Sequence, residues 1–177
     1  MFGALITVAV VVALVVAILA AGSTLPREHL ATVRIRLEVS PQAVWAVISD
    51  PFAAGSWRKD VKKVEALPDR HGHRAWREES AHGSIIFVLM DSTPGRSMVT
   101  RIDDDTLPFG GQWEYTLEKS GNGTVLVVTE RGIVKPALFR FMSRYLFGYT
   151  ATIQSYLAAL AVKFGENAVP EVVASGR

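Results

Sequence analysis

The sequence predicts an α+β fold: a curved antiparallel sheet of about seven strands around a long C-terminal helix, with an N-terminal transmembrane helix ahead of it. Three observations carry this. Short runs with period-two alternation recur from residue 31 to residue 134, apolar residues spaced by threes and fours fill 138–164, and residues 2–22 are almost wholly apolar.

Residues 1–26 contain no charged side chain. At about 1.5 Å of rise per residue, the apolar run makes a helix roughly 30 Å long, the thickness of a bilayer core. A secretory signal would carry a basic n-region and an apolar core of roughly 7–15 residues. Here no Lys or Arg precedes the run, and the run is longer. The favoured reading is a retained single-pass anchor over 1–24 that meets the membrane through residues 2–22. The alternative is a secreted protein, cleaved near Ala20, Ala21, Gly22 and Ser23. Arg27, Arg34 and Arg36 all follow the span, so the positive-inside rule puts the folded domain in the cytoplasm.

Residues 25–29 read as a linker to a domain over 30–166, with a disordered tail over 167–177. The run 31–39 alternates Val33, Ile35, Leu37 and Val39 against Arg34, Arg36 and Glu38, the pattern of a strand with one wet face. Ser40 offers an N-cap and Pro41 suits the first helical position, so a helix follows to about Ser49, with Val44, Trp45, Val47 and Ile48 as its apolar stripe. Asp50-Pro51 stops it. Six further strands come in hairpin succession over 61–67, 74–80, 85–92, 97–103, 111–119 and 124–134, and the turn at 120–123, Ser-Gly-Asn-Gly, is the strongest hairpin signal among them. After Pro136 the period changes. Leu138, Phe141, Met142, Tyr145, Tyr149, Ile153, Tyr156, Leu157, Leu160 and Phe164 describe one long amphipathic helix, which Gly148 permits to bend.

The stretch 40–67, SPQAVWAVISDPFAAGSWRKDVKKVEAL, followed by the meander and a terminal helix rich in Phe and Tyr, resembles the START-like (Bet v 1-like) helix-grip superfamily, also called SRPBCC or polyketide cyclase/dehydrase. The resemblance covers about 30–166. It implies a cavity between sheet and C-terminal helix that holds a hydrophobic small molecule or lipid. It also leaves room for a cyclase-type enzyme acting on a cavity-bound substrate, or for a protein-interaction module. In that last case Phe139 and Phe147, on the less buried side of the helix, are the first contact candidates.

Parity along the strands nominates the cavity wall. Trp76, Phe87, Trp113 and Tyr115 share faces with apolar neighbours; Trp57, Phe109, Phe141, Met142, Tyr145 and Tyr149 complete the set of ligand-binding candidates. Arg74, Glu78, Asp91, Thr100 and Thr129 are the polar side chains whose parity points inward.

The 177 residues are 49% hydrophobic, with the excess concentrated in the anchor. Lys and Arg number 19 and Asp and Glu 17, a balance unlike that of a nucleic-acid binder. The absence of cysteine excludes disulfides, thiol catalysis and cysteine-ligated zinc. The histidines have no metal-ligand spacing, and no Gly-x-Ser-x-Gly, Walker or dinucleotide motif occurs, so neither a cofactor, a metal nor a catalytic residue is expected.

Overall fold

A computed structural model describes residues 2–81 and 83–176. Met1, His82 and Arg177 lie outside the described residues.

The chain begins with α1 (Phe2–Thr24), a helix with the length and composition to cross a membrane, its apolar window unburied. It leads into β1 (Glu28–Leu37), so Glu28 and His29 belong to the first strand and not to a linker. The strand extends back because β7 reaches that far: Glu28 pairs with Ile133 and Leu37 with Thr124. Next come α2 (Pro41–Ile48) and a 3-10 turn (Pro51–Ser56). Ser40 Oγ accepts from the Ala43 amide and Asp50 Oδ1 from that of Phe52, each capping orphan N–H groups.

The meander consists of β2 (Val61–Arg70), β3 (His73–Ser80), β4 (Gly83–Thr93), β5 (Ser97–Ile102), β6 (Phe109–Ser120) and β7 (Gly123–Val134). The whole sheet is antiparallel, in the order β2-β3-β4-β5-β6-β7-β1-β8.

Its eighth strand, β8 (Glu171–Gly176), lies in the segment whose composition suggests a disordered tail. Without it, β1 would be an open edge. β8 pairs with β1 across a register shift between Thr32 and Val33, and Glu171 meets Arg34 at 2.8 Å. Val172 and Val173 stay exposed, so β8 is held by main-chain pairing and brings little core of its own.

The C-terminal helix is also divided. α3 (Ala137–Met142) runs into a π-helical turn (Ser143–Phe147); Gly148 breaks the chain, and α4 (Ala151–Lys163) follows. Gly148 sits at φ 77 and ψ 157, a conformation only glycine adopts without strain. The expected bend is a full interruption.

Within the C-terminal segment, α4 supplies the fully buried side chains that pack on the sheet. Ile153, Leu157 and Leu160 are fully buried with Ile35 and Leu37 of β1, Leu126 and Val128 of β7 and Val44 of α2. Each such side chain contributes about 1.5–3 kcal/mol relative to exposure. This packed end covers one half of the concave face; the other half holds a cavity.

The interrupted segment leans on α1 instead. Gly22 approaches Ala137 so closely that an added Cβ would lie 2.1 Å from its carbonyl oxygen. The buried Arg140 side chain donates from Nε to the Gly22 carbonyl at 2.9 Å and from Nη1 to that of Lys135. A guanidinium there completes the carbonyl-rich, partly negative C-terminal end of α1.

Candidate ligand-binding cavity

The cavity has a volume of about 560 Å³ and is bounded by the inner faces of β3 to β7, the 3-10 turn and the segment from α3 to the start of α4. That is the size range of small-molecule sites. Strand parity builds the wall: Arg74, Trp76 and Glu78 project from β3, Phe87 and Leu89 from β4, Met98 and Thr100 from β5, Trp113 and Tyr115 from β6.

Among the candidates nominated from sequence, Trp57, Trp76, Phe87 and Phe109 line the cavity, as do Trp113, Tyr115, Met142 and Tyr149. Phe141 and Tyr145 do not. They pack on each other at 4.9 Å, and Tyr145 is 60% exposed. The reason is the π turn and Gly148, which rotate 138–147 out of phase with α4 and present Phe139 and Phe147 to the cavity instead. Those two residues, expected on the less buried side of the helix, are exposed and also border the cavity.

The polar nominations divide the same way. Arg74, Glu78 and Thr100 face the cavity. Asp91 is exposed, because a register shift between Leu89 and Asp91 reverses parity along β4. Thr129 lies on the opposite face of β7 from Val128 and Glu130, its hydroxyl 3.0 Å from that of Thr32. Glu130, its neighbour, is the inward residue.

Two polar poles interrupt the apolar wall. At the first, Arg58 Nη1 donates to Glu78 Oε2 at 2.9 Å and Nη2 to Asp60 Oδ2 at 2.8 Å, while Trp76 Nε1 donates to Glu78 Oε1 at 3.3 Å. Burial acts to depress the Arg58 pKa, but the two carboxylates outweigh it and hold the guanidinium above its ordinary value. Burial likewise pushes on Asp60 from the other side, and its hydrogen bond from Arg58 leaves that carboxyl below the usual range.

The Arg58 guanidinium also stands 5.6 Å from the centre of the Tyr156 ring. Tyr156 is the hub of an aromatic cluster, edge-on to Trp57 at 5.3 Å, to Trp113 at 5.5 Å and to Tyr115 at 6.0 Å. Burial raises the pKa of both phenols; for Tyr115 the Thr100 hydroxyl offsets part of that rise, and for Tyr156 the neighbouring Tyr115 adds to it. Both hydroxyls are therefore neutral donors at physiological pH. Trp57 Nε1 is buried without a hydrogen-bond partner among the described residues.

The second pole is His29, whose side chain is 7% exposed, stacked on Tyr149 with centroids 4.3 Å apart and with Nε2 3.5 Å from Glu130 Oε1. Sequence reasoning missed Arg58, Asp60, Tyr156, His29 and Glu130. Arg58 reads as part of a solvated basic run with Lys59, Lys62 and Lys63, Tyr156 as one more core position of a helix, and His29 as a linker residue. Only the closure of the sheet brings 29, 58, 130 and 156 to one chamber, and the one local hint is Tyr156 itself, a polar-tipped aromatic on a buried stripe. No group of three His, Asp or Glu side chains is placed to hold a metal ion among the described residues.

The architecture has many solved counterparts. A START superfamily protein from Mycobacterium smegmatis superposes with a TM-score of 0.61 at 16% identity, covering 76% of this chain and 96% of that one. A conserved protein from Geobacillus kaustophilus gives 0.65 at 14% identity, covering 80% and 99%. The ZhuI aromatase/cyclase from Streptomyces sp. R1128 gives 0.59 at 15% identity, covering 77% and 93%. At such identities the likeness is one of fold. No curated protein matches the sequence. The family model described as polyketide cyclase/dehydrase and lipid transport matches residues 28–163, from the first residue of β1 to the last of α4, and the chain belongs to that family.

Proposed function

We propose that this protein binds a hydrophobic small molecule or lipid in the chamber between the sheet and the C-terminal segment and does so at a membrane, held there by α1. The observation that carries the reading is the chamber itself: about 560 Å³ walled by Trp57, Trp76, Phe87, Trp113 and Tyr156, with its hydrogen-bonding groups gathered at two poles. Such a wall rewards an elongated apolar body carrying one or two oxygen functions. Membership of a family named for polyketide cyclisation and lipid transport agrees with it.

Retention of α1 is supported by its junction with the domain. Signal cleavage near Gly22 would remove the carbonyl that the buried Arg140 uses, and burying a guanidinium without partners is costly. The cations Arg27, Arg34 and Arg36 follow the span, consistent with a cytoplasmic domain.

Titration of the full chain in lipid nanodiscs with the apolar fluorophore N-phenyl-1-naphthylamine tests the reading. Saturable binding at one site, weakened when Phe87→Ala and Trp113→Ala reshape the wall, is the expected result. Absence of saturable binding above that of empty nanodiscs contradicts it.

A cyclase-type activity is the second reading, and the pole at Arg58 favours it. The neutral hydroxyl of Tyr156, whose ring faces the Arg58 guanidinium, is suited to donating a hydrogen bond to a polarised carbonyl. Incubation with aromatic polyketide precursors, wild type against Tyr156→Phe, tests it: turnover lost in the variant supports catalysis, and no turnover by wild type removes it.

A further inference from the structure

We infer that the segment 138–147 is a membrane-contacting portal through which the cavity opens onto the bilayer holding α1. This rests on α1 being a retained span and adds to the proposed function a route for the ligand.

The apolar mouth of the cavity is marked by the large hydrophobic side chains that both line it and reach the surface, Phe109, Ile133, Phe139 and Phe147, whereas the exposed lining residues Asp50, Asp60 and Arg74 are polar. All four belong to the end of the sheet and the segment nearest α1. Phe109 pairs with Val134, whose amide donates to the Arg27 carbonyl just past the anchor. Beside the mouth, Leu138 is 43% exposed and Leu146 66% exposed. These residues form an apolar rim that water solvates poorly.

The depth of that rim follows from helix geometry. α1 has 23 residues, and at about 1.5 Å each it spans the hydrocarbon core. Gly22, near its C-terminal end, therefore lies at the level where acyl chains meet headgroups. Gly22 is the residue against which Ala137 packs and to which Arg140 bonds, so α3 and the π turn begin at that same level. Around them Arg27, Lys135 and Arg144 are exposed, as are the acids Glu28 and Asp105, the latter holding Lys135 through its carbonyl, so the collar is of mixed charge and its cations can meet lipid phosphates. Tyr145, 60% exposed, is of an aromatic type enriched at that depth. An apolar ligand leaving the bilayer between Phe139 and Phe147 would enter the chamber without crossing water.

The chain contains no cysteine, so one introduced thiol can be labelled uniquely. Leu146→Cys lies outside the cavity wall; Lys119→Cys, at the far end of the β6–β7 hairpin, and Val12→Cys, within α1, bracket it. Each variant of the full chain is labelled with the fluorophore NBD in phosphatidylcholine nanodiscs, with and without lipid bearing a nitroxide near the top of its acyl chains. Quenching at positions 12 and 146 but not 119 is expected. Quenching at 12 with none at 146 overturns the portal and leaves the anchor standing, whereas quenching at neither overturns both. The ligand route is read from the rate at which N-phenyl-1-naphthylamine dissolved in vesicles reaches the cavity. Leu146→Glu, which puts a charge at the rim, is expected to slow it by about tenfold or more with equilibrium binding in detergent unchanged. An unchanged rate overturns the route. Loss of equilibrium binding in wild type instead removes the ligand-binding reading and leaves the membrane contact measured by quenching intact.

Discussion

The two ends of the concave sheet receive different treatment from one C-terminal segment. At the packed end α4 lays Ile153, Leu157 and Leu160 on β1 and β7 and leaves no room. At the hollow end α3 packs on α1, and it and the π turn border a chamber whose wall is aromatic. Gly148 marks the border between them. The difference separates stability from function: a side chain at the packed end is surrounded by atoms, so removing it leaves a void, whereas one at the hollow end already borders a void.

The sharpest way to break this comparison is a pair of truncations. Leu157→Ala is expected to cost about 2–5 kcal/mol, as buried leucines do. Phe87→Ala, from the chamber wall, is expected to cost about 1 kcal/mol, because its loss creates little new cavity. Urea denaturation of the full chain in detergent reads both, and equal costs would erase the distinction between the ends.

Next in size is the border itself. Gly148→Ala forces a Cβ into the conformation at φ 77 and is expected to cost about 1–3 kcal/mol, read as a lower urea midpoint. Stability equal to wild type would mean that 143–150 winds into continuous helix, which would swing Phe139 and Phe147 out of the chamber.

Tyr115 and Tyr156 sharpen the comparison through pH. Both phenols are held above the ordinary value of 10.0, so the unfolded chain releases their protons at lower pH than the folded one. Their burial therefore contributes stability that is full below pH 10.0 and falls as pH rises beyond it. Ultraviolet titration should show these two of the four tyrosines ionising only with alkaline unfolding, and Tyr115→Phe and Tyr156→Phe should each remove part of that late absorbance change. Ionisation of either before unfolding would place it in contact with water.

The smallest expected effect on stability comes from filling the chamber. Leu89→Trp adds volume on the inner face of β4 where space exists, so the unfolding free energy read by urea should change by less than about 1.5 kcal/mol while apolar ligand is excluded.

Much of this was legible from local pattern. Alternation along β1 and across the meander gives the sheet because side-chain period is a property of the strand itself, and Ser40-Pro41 and Asp50-Pro51 set the ends of α2 by capping and by the steric demand of proline. What stayed hidden depends on partners remote in sequence. β8 exists because β1 offers an open edge, which nothing in 167–177 announces. Parity carried Trp76, Trp113 and Tyr115 into the wall, but failed at Asp91, where the register shifts, and at Thr129, one residue off the inner face. Periodicity from 138 to 164 looked continuous because Leu, Phe and Tyr recur at helical spacing on both sides of Gly148. The chain instead divides there, exchanging Phe141 and Tyr145 for Phe139 and Phe147 at the chamber.

The claim that the hollow end is a ligand site is tested most directly by native mass spectrometry of the full chain released from nanodiscs, wild type beside Leu89→Trp. The account predicts that wild type carries a discrete added mass of an apolar molecule that organic extraction removes, and that the variant, equally folded, flies without it. Wild type and variant both appearing at the bare mass of the chain, after preparation in lipid, would contradict it.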